Sequence, residues 1–283
     1  MADPKSKTDV PDGLWYRQFD TENDFPEVSI TKKVALCTTP RCGSHFLGHQ
    51  MHAMGAFGYP LEYLNPGNWK VWNKRAGSQA TLDYIKSART GPNGVFSVKL
   101  HHEHLPAFLK QELAPLDYRF VHLCRRDLVK QAISFARAQQ TGAWISDMPE
   151  TAPAQYDWAL IAAKVDAISR GNAAWQGFLR SVGIVPLVLY YEDIVADMPG
   201  TIEQMAAYLE IDLNDVTIEQ PTFTPQRQKK ASDDDWRVRF ESDSRAALFE
   251  GRPIPGISPP PTAAVLRRCT AKVAKRLRAK AGL

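Results

Sequence analysis

The sequence predicts a three-layer α/β/α sandwich, with helices on both sides of a central, mainly parallel sheet. Three observations point there. Four short apolar runs, at 33–38, 95–100, 118–124 and 184–190, have the length and continuous hydrophobicity of strands buried on both faces. Stretches of helical pattern separate them, near 43–54, 127–141, 155–182 and 198–209. Alternation of this kind is the pattern of right-handed crossovers in a parallel sheet. With 283 residues, 44% of them hydrophobic, the chain can bury the core that such a sheet needs.

Residues 1–28 are polar with scattered Pro and aromatics and read as a partly ordered lead-in. Residues 29–250 form the α/β domain. Its first strand, Val34-Ala35-Leu36-Cys37-Thr38, runs into the tight polar loop Thr39-Pro40-Arg41-Cys42-Gly43-Ser44. A helix follows, with Phe46, Leu47, Met51 and Met54 on roughly one side. A strand, a tight loop and a helix start make an anion site, because unpaired backbone N–H groups and the positive end of the helix dipole point at it. Arg41 adds a full charge and Ser44 a hydroxyl.

The loop also excludes several chemistries. It has neither the two glycines nor the Lys-Ser or Lys-Thr of the common nucleotide loop, and no Gly-x-Gly-x-x-Gly turn follows a strand. A Cys-based phosphatase loop would want Arg six positions after its Cys, where Cys37 has Gly43 and Cys42 has Gly48.

The second strand ends at Val98-Lys99-Leu100 and runs on into His101, and strand alternation places Lys99 and His101 on one face with His102 turned away. The third ends at Cys124-Arg125-Arg126-Asp127. Asp127 can cap a helix that carries Lys130 and Ser134 in its first turns. Two arginines and a hydroxyl at a strand end suit a second phosphate group, and they equally suit a surface salt bridge to Asp127. Ligands of such sheets bind at the carboxyl ends of strands, so the three strand ends share one rim.

From 251 to 261 the composition changes to a semi-rigid Pro-rich linker. Residues 262–283 carry seven Lys or Arg and no acid. This basic C-terminal helix or tail has two readings. One is peripheral membrane contact or a docking arm; the other, favoured by its small apolar stripe, is a terminal helix or a frayed tail.

Net charge is +4, with 35 basic and 31 acidic residues, too balanced to imply nucleic-acid binding. No run reaches the roughly 18 apolar residues of a membrane span, and the N-terminus has no apolar signal core. Four cysteines (Cys37, Cys42, Cys124, Cys269) without metal-ligand pairing read as reduced thiols of a cytoplasmic protein, with no metal expected.

The loop at 38–44, with Arg126 and Ser134, resembles the sulfotransferases that use 3′-phosphoadenosine 5′-phosphosulfate (PAPS). Within them the chain is most similar to the bacterial, trehalose 2-sulfotransferase-like Stf0 group. Further matching text is Gly58-Tyr59-Pro60-Leu61-Glu62-Tyr63, Val98-Lys99-Leu100, Gln131 to Ala138, Gln140-Thr141-Gly142-Ala143-Trp144, Tyr190-Tyr191-Glu192-Asp193, and Arg227-Gln228 leading to Trp236 and Arg239-Phe240. The likeness runs from about 30 to 242.

The resemblance implies a P-loop NTPase-like sulfotransferase fold and transfer of a sulfuryl group to a hydroxyl of a carbohydrate or glycolipid, with PAPS as co-substrate and no metal. It implies that Arg41, Cys42, Gly43, Ser44 and His45 hold the 5′-phosphosulfate. Arg126 with Ser134 would hold the 3′-phosphate, with Arg125 as the alternative arginine, and Arg227 and Lys229 would lie on a loop over the nucleotide. Arg41 or Lys99 would neutralise the leaving group. Glu62 is the first expectation for general base, its pKa raised by its apolar flanks; His101 is the second. Tyr63, Trp69, Trp72 and Trp144 offer flat faces for sugar rings or, equally, core packing. A homodimer is compatible with the group. Cys42 and His45 depart from its more usual Ser and Thr or Ser. They keep a non-catalytic nucleotide- or lipid-binding domain as an alternative, with a nucleotide kinase behind it.

Overall fold

The computed structural model describes residues 18–145, 148–213 and 232–254. By its internal contacts the chain divides into two units. The first comprises 1–126, 142–151 and 171–228; the second 127–141, 152–170 and 229–283.

The first unit holds a four-stranded parallel sheet of β1 (Lys32–Thr38), β2 (Val95–His101), β3 (Tyr118–Cys124) and β4 (Leu187–Tyr190), in the order β2-β1-β3-β4. Both faces are covered. Ala35 and Cys37 of β1, with Phe96, Val98 and Leu100 of β2, pack against Tyr59, Tyr63, Trp72 and Trp175. Val34 and Leu36 point the other way, onto Leu47, Met51, Ile202 and Met205. This alternation of buried residues makes the central strands continuous apolar runs.

The flanking helices of this unit are α1 (Ser44–Ala53), α2 (Pro66–Ala76), α3 (Thr81–Arg89), α4 (Leu105–Gln111), α7 (Tyr191–Ala196) and α8 (Met198–Leu209). In the second unit, α5 (Leu128–Thr141) and α9 (Ser232–Phe249) pack through Ala132, Ile133, Ala136 and Phe240 against Ile161, Val165 and Ile168. Those last three lie on α6 (Trp158–Ser181), which begins in the second unit and ends in the first.

Most predicted elements fall within a few residues of the observed ones. The fourth strand is shorter than expected and begins at Leu187. Pro186, which has no N–H to give a ladder, precedes it. Residues 18–28 are tied to the first unit. Arg89, wholly buried, donates to the carbonyls of Gln18, Asp20 and Asn23, and Phe19 and Phe25 pack on the core. Residues 1–17, Arg227, Lys229, Cys269 and the basic tail lie outside the described residues. Among the described residues no helix is long and apolar enough to cross a membrane.

Candidate active site

The chain leaves β1 for β2 on one side and returns to β3 on the other. The carboxyl ends of β1 and β3 therefore flank the point where the strand order reverses, where open α/β sheets bind ligands. The loop after β1 turns sharply. Arg41 has φ 66 and Gly43 has φ 94. The face of Tyr191 lies so close that a Cβ on Gly43 would sit 2.3 Å from its ring. Gly43 is also the N-cap of α1, which has no side-chain cap, so the first amides of α1 are left for an outside acceptor. Arg41 donates to the carbonyl of Trp144. The loop is braced from behind by α6, where Trp175 Nε1 donates to the Thr38 carbonyl at 3.0 Å. Cys42 is fully buried among Leu47, Met51 and Val34, so its thiol packs in the core.

Glu62 lies beside this loop, facing one lysine and two histidines. Its Oε1 is 2.9 Å from Lys99 Nζ, 3.1 Å from His101 Nε2 and 3.7 Å from His45 Nε2. The sequence had placed Lys99 and His101 on one face of β2, and both reach the same carboxylate. Burial on its own would raise the Glu62 pKa, as the sequence led us to expect. Facing His101 and Lys99 outweigh it and hold the carboxyl well below the usual carboxylate range. The expected rise is thus corrected to a fall. His45 moves the same way for a different reason: burial and then the Lys99 charge keep its pKa well below the ordinary histidine value.

Lys99 is wholly buried, and although it is ion-paired to Glu62 its ammonium has no aligned hydrogen-bond acceptor. Its charge acts on both Cys42 and His45, which places it against the loop. A buried ammonium with donors to spare, beside uncapped helix amides, fits an anionic group such as a phosphosulfate.

The two arginines after β3 differ. Arg126 is half exposed, makes a bidentate pair with Asp193 at 2.6 and 2.7 Å and stacks on Tyr190. Its partner is Asp193, whereas the sequence suggested Asp127. Arg125 is more enclosed, lies over the Tyr191 ring at 4.8 Å, and its buried Nε has no hydrogen-bond partner. Tyr191 thereby joins Arg125 to Gly43. Ser134 stands on α5, in the second unit. Asp127 caps that helix as expected, accepting from the Lys130 amide at 3.0 Å.

Tyr63 and Trp72 are fully buried and serve the core, so neither offers a face to a sugar. Trp69 is partly buried against the same core, and Trp144 is 37% exposed. Sequence reasoning gave Tyr191 no role, although it stands against both Gly43 and Arg125. The Tyr190-Tyr191-Glu192-Asp193 string was the available signal for it. Among the described residues no group of His, Cys, Asp and Glu is arranged to hold a metal ion.

The model of the Stf0 sulphotransferase family matches residues 34–243. The trehalose 2-sulfotransferase of Mycolicibacterium smegmatis (strain ATCC 700084 / mc(2)155) is 23% identical over 255 residues, covering 72% of this chain and 92% of that protein. The trehalose 2-sulfotransferase of Mycobacterium tuberculosis (strain ATCC 35801 / TMC 107 / Erdman) is 24% identical over 208 residues, covering 65% and 73%. The matched span runs from β1 into α9 and takes in the loop, Glu62, Lys99 and both arginines, so the chain belongs to the Stf0 sulphotransferase family and is a sulfotransferase.

Proposed function

We propose that this enzyme transfers a sulfuryl group from PAPS to a hydroxyl of a sugar or glycolipid, with Glu62 as the general base. The observation that carries the reading is the wholly buried Lys99 ammonium, 2.9 Å from Glu62 and without an aligned acceptor of its own. The names of the two mycobacterial relatives support a sugar acceptor.

In this reaction a new S–O bond forms to the acceptor oxygen while the S–O bond to the donor phosphate breaks. The bridging oxygen leaves with the electron pair, and the hydroxyl proton passes to Glu62. Negative charge grows on the leaving oxygen, where the α1 amides, Arg41 and Lys99 would meet it. The Arg41–His45 loop would hold the phosphosulfate end. Arg125, whose Nε faces Glu192 at 3.8 Å without a hydrogen bond, is favoured over Arg126, which is bound bidentately by Asp193, for the other phosphate.

Lys99 couples the two halves of the reaction. While it faces Glu62 it keeps that carboxylate ionised and weakly basic. As it turns to the leaving oxygen, the carboxylate loses a cation and gains proton affinity when the proton must move. A cytoplasmic setting is part of the reading, supported by free thiols at Cys37, Cys42 and Cys124, all buried.

Purified enzyme is incubated with PAPS and a panel of sugars that includes trehalose, and products are read by mass spectrometry. A sulfated sugar is the expected product. Thermal stabilisation by adenosine 3′,5′-bisphosphate without magnesium, exceeding that by ADP or ATP, is expected as well. Preference for ATP with magnesium would replace the reading by a kinase. Bisphosphate binding without turnover of any sugar would replace it by a binding domain.

A further inference from the structure

We propose that Gly171, Asn172 and Trp175 of α6 are positioning residues for the donor loop, a role that rests on the reaction above. They fix the entrance to the loop, Thr38 and Thr39, so that the amides after it keep their aim at the anion.

Gly171 and Trp175 are one helical turn apart with Asn172 beside them, and all three belong to the first unit. Each meets the end of β1 in a different way. Trp175 is fully buried, and its Nε1 donates to the Thr38 carbonyl at 3.0 Å. Its ring makes edge-to-face contacts with His102 and Phe178 that fix its direction. Asn172 Oδ1 accepts from the buried Thr39 hydroxyl over a long 3.4 Å, and the same side chain hydrogen-bonds the buried His122 ring of β3. Gly171 lets the helix backbone come close, because a Cβ there would lie 2.8 Å from Thr39 Cγ2.

The loop that follows needs this support. Arg41 has φ 66, and a left-handed residue other than glycine persists only where its surroundings determine it. The Cys42 amide donates back to the Thr39 carbonyl at 3.4 Å, so the turn is built on Thr39. The Tyr191 ring closes on Gly43 at the far end. The loop is therefore pinned at Thr38 and Thr39 by α6 and at Gly43 by Tyr191, and the N–H groups between are set before the donor arrives. Preorganised donors of this kind are the ones that stabilise charge growing on a leaving oxygen. The α6 residues act through the loop and touch no reacting atom, which makes theirs a positioning role.

Three variants of the full-length protein test this. Trp175→Phe keeps much of the ring but removes the indole N–H. Its Kd for adenosine 3′,5′-bisphosphate, read by calorimetry, should rise about tenfold, the worth of one hydrogen bond, and KM for PAPS with it, while KM for the sugar is unchanged. Trp72→Phe is the control. Trp72 is fully buried in the same cluster and its indole nitrogen has no hydrogen-bond partner, so this variant loses the same volume without a bond to the loop. It should lower Tm and leave donor affinity within about twofold of wild type. Gly171→Ala separates stability from positioning. Alanine favours a helix over glycine, so a merely structural position would keep or raise Tm with donor affinity unchanged. The expected result is a Kd about threefold higher or more, as the methyl presses on Thr39. Wild-type affinity in both Trp175→Phe and Gly171→Ala overturns the proposal, as does a loss in Trp72→Phe as large as in Trp175→Phe. A wild type that binds no bisphosphate overturns the reading of the reaction instead. Hydrogen–deuterium exchange of amides 41–45 needs no ligand and then decides the role of α6. Faster exchange in Trp175→Phe than in Trp72→Phe supports it, and equal exchange overturns it.

Discussion

Glu112, buried, and Glu62, partly buried, are carboxylates beside the same parallel sheet, Glu112 against the starts of β1 and β3 and Glu62 against the end of β2. Glu112 takes Lys86 Nζ at 2.7 Å, the Tyr118 hydroxyl at 2.7 Å, the Ala114 amide at 3.2 Å and Lys33 Nζ at 3.7 Å. Burial works against its ionisation, and the Lys86 and Tyr118 hydrogen bonds pull its pKa below the ordinary value. Both of its oxygens have partners, and its lysines reach water at their flanks. Glu62 faces a sealed ammonium without an aligned acceptor, and Nε2 of His101 and of His45 at 3.1 and 3.7 Å. A buried charge cluster that is complete holds a fold together; one left with spare donors is arranged for something yet to arrive.

The sharpest way to break this comparison is to neutralise each glutamate in turn. Glu62→Gln should lower kcat by about 10²–10⁴-fold while stabilisation by adenosine 3′,5′-bisphosphate stays near wild type, because the loss falls on proton transfer. Glu112→Gln should leave kcat near wild type and cost about 3 kcal/mol in chemical denaturation, the low end for a broken buried pair because Lys33 and Lys86 keep some water. If both variants lost activity with equal donor binding, the division between structural and reactive clusters would be wrong.

Lys99→Met sharpens the same point. The thioether fills the volume but cannot meet the leaving oxygen, so kcat should fall about 10²–10³-fold. Removing the ammonium also removes one of the two main causes that lower the Glu62 pKa. The acid limb of the kcat/KM profile should therefore move to higher pH. An unmoved limb would show that Lys99 does not hold Glu62. Gly43→Ala addresses the other wall of the site. The new methyl would meet the Tyr191 ring at 2.3 Å in a backbone conformation with φ 94. Bisphosphate affinity should drop by about tenfold or more, read by calorimetry.

The histidines of α1 give a stability signature separate from catalysis. Burial lowers His49 to about 4, with help from the Lys99 charge, and lowers His52 to about 4, with help from Arg89. Their unfolded values lie near 6.5, so between about pH 6.5 and 4 the unfolded chain binds more protons than the folded one. Stability should be flat above about pH 6.5 and fall as the pH drops towards 4. His49→Gln with His52→Gln should flatten that slope in thermal melts. A melting temperature independent of pH across this window would contradict their burial as neutral rings.

How much of this was legible in the sequence depended on whether the signal was local. Strand positions were, because Val34–Cys37 and Phe120–Leu123 are buried on both faces and cannot alternate. Helix α2 carried its own markers, with Asn65 capping Gly67 N and Pro66 at its start, yet no helix was read there. The loop after β1 was legible because its amides, Arg41 and Gly43 are contiguous. The Glu62 cluster was legible only as separate candidates. Its geometry depends on parallel register, which sets His101 opposite Thr38, and on the packing that brings Glu62 to Lys99. For the same reason the direction of the Glu62 pKa was misjudged. Its apolar flanks are adjacent in sequence, whereas Lys99 and His101, which outweigh them, are not.

Cys42 is where the smallest effect is expected, and the prediction depends on which way a side chain points. A Ser at this place would bring a hydroxyl close to the loop that faces the donor. Here the side chain is fully buried among Val34, Leu47 and Met51, and burial raises its thiol pKa. The backbone on either side faces the anion site while the sulfur faces the core. Cys42→Ser should therefore leave bisphosphate affinity and kcat within about twofold of wild type. It should cost about 1 kcal/mol of stability, since a hydroxyl replaces sulfur in apolar packing with little to bond to beyond Ser44 and the Thr39 backbone. A large gain in donor affinity from Cys42→Ser would mean that the hydroxyl reaches the donor. Position 42 would then belong with Lys99 among the groups that wait for a ligand, and no longer with Glu112 among those already satisfied.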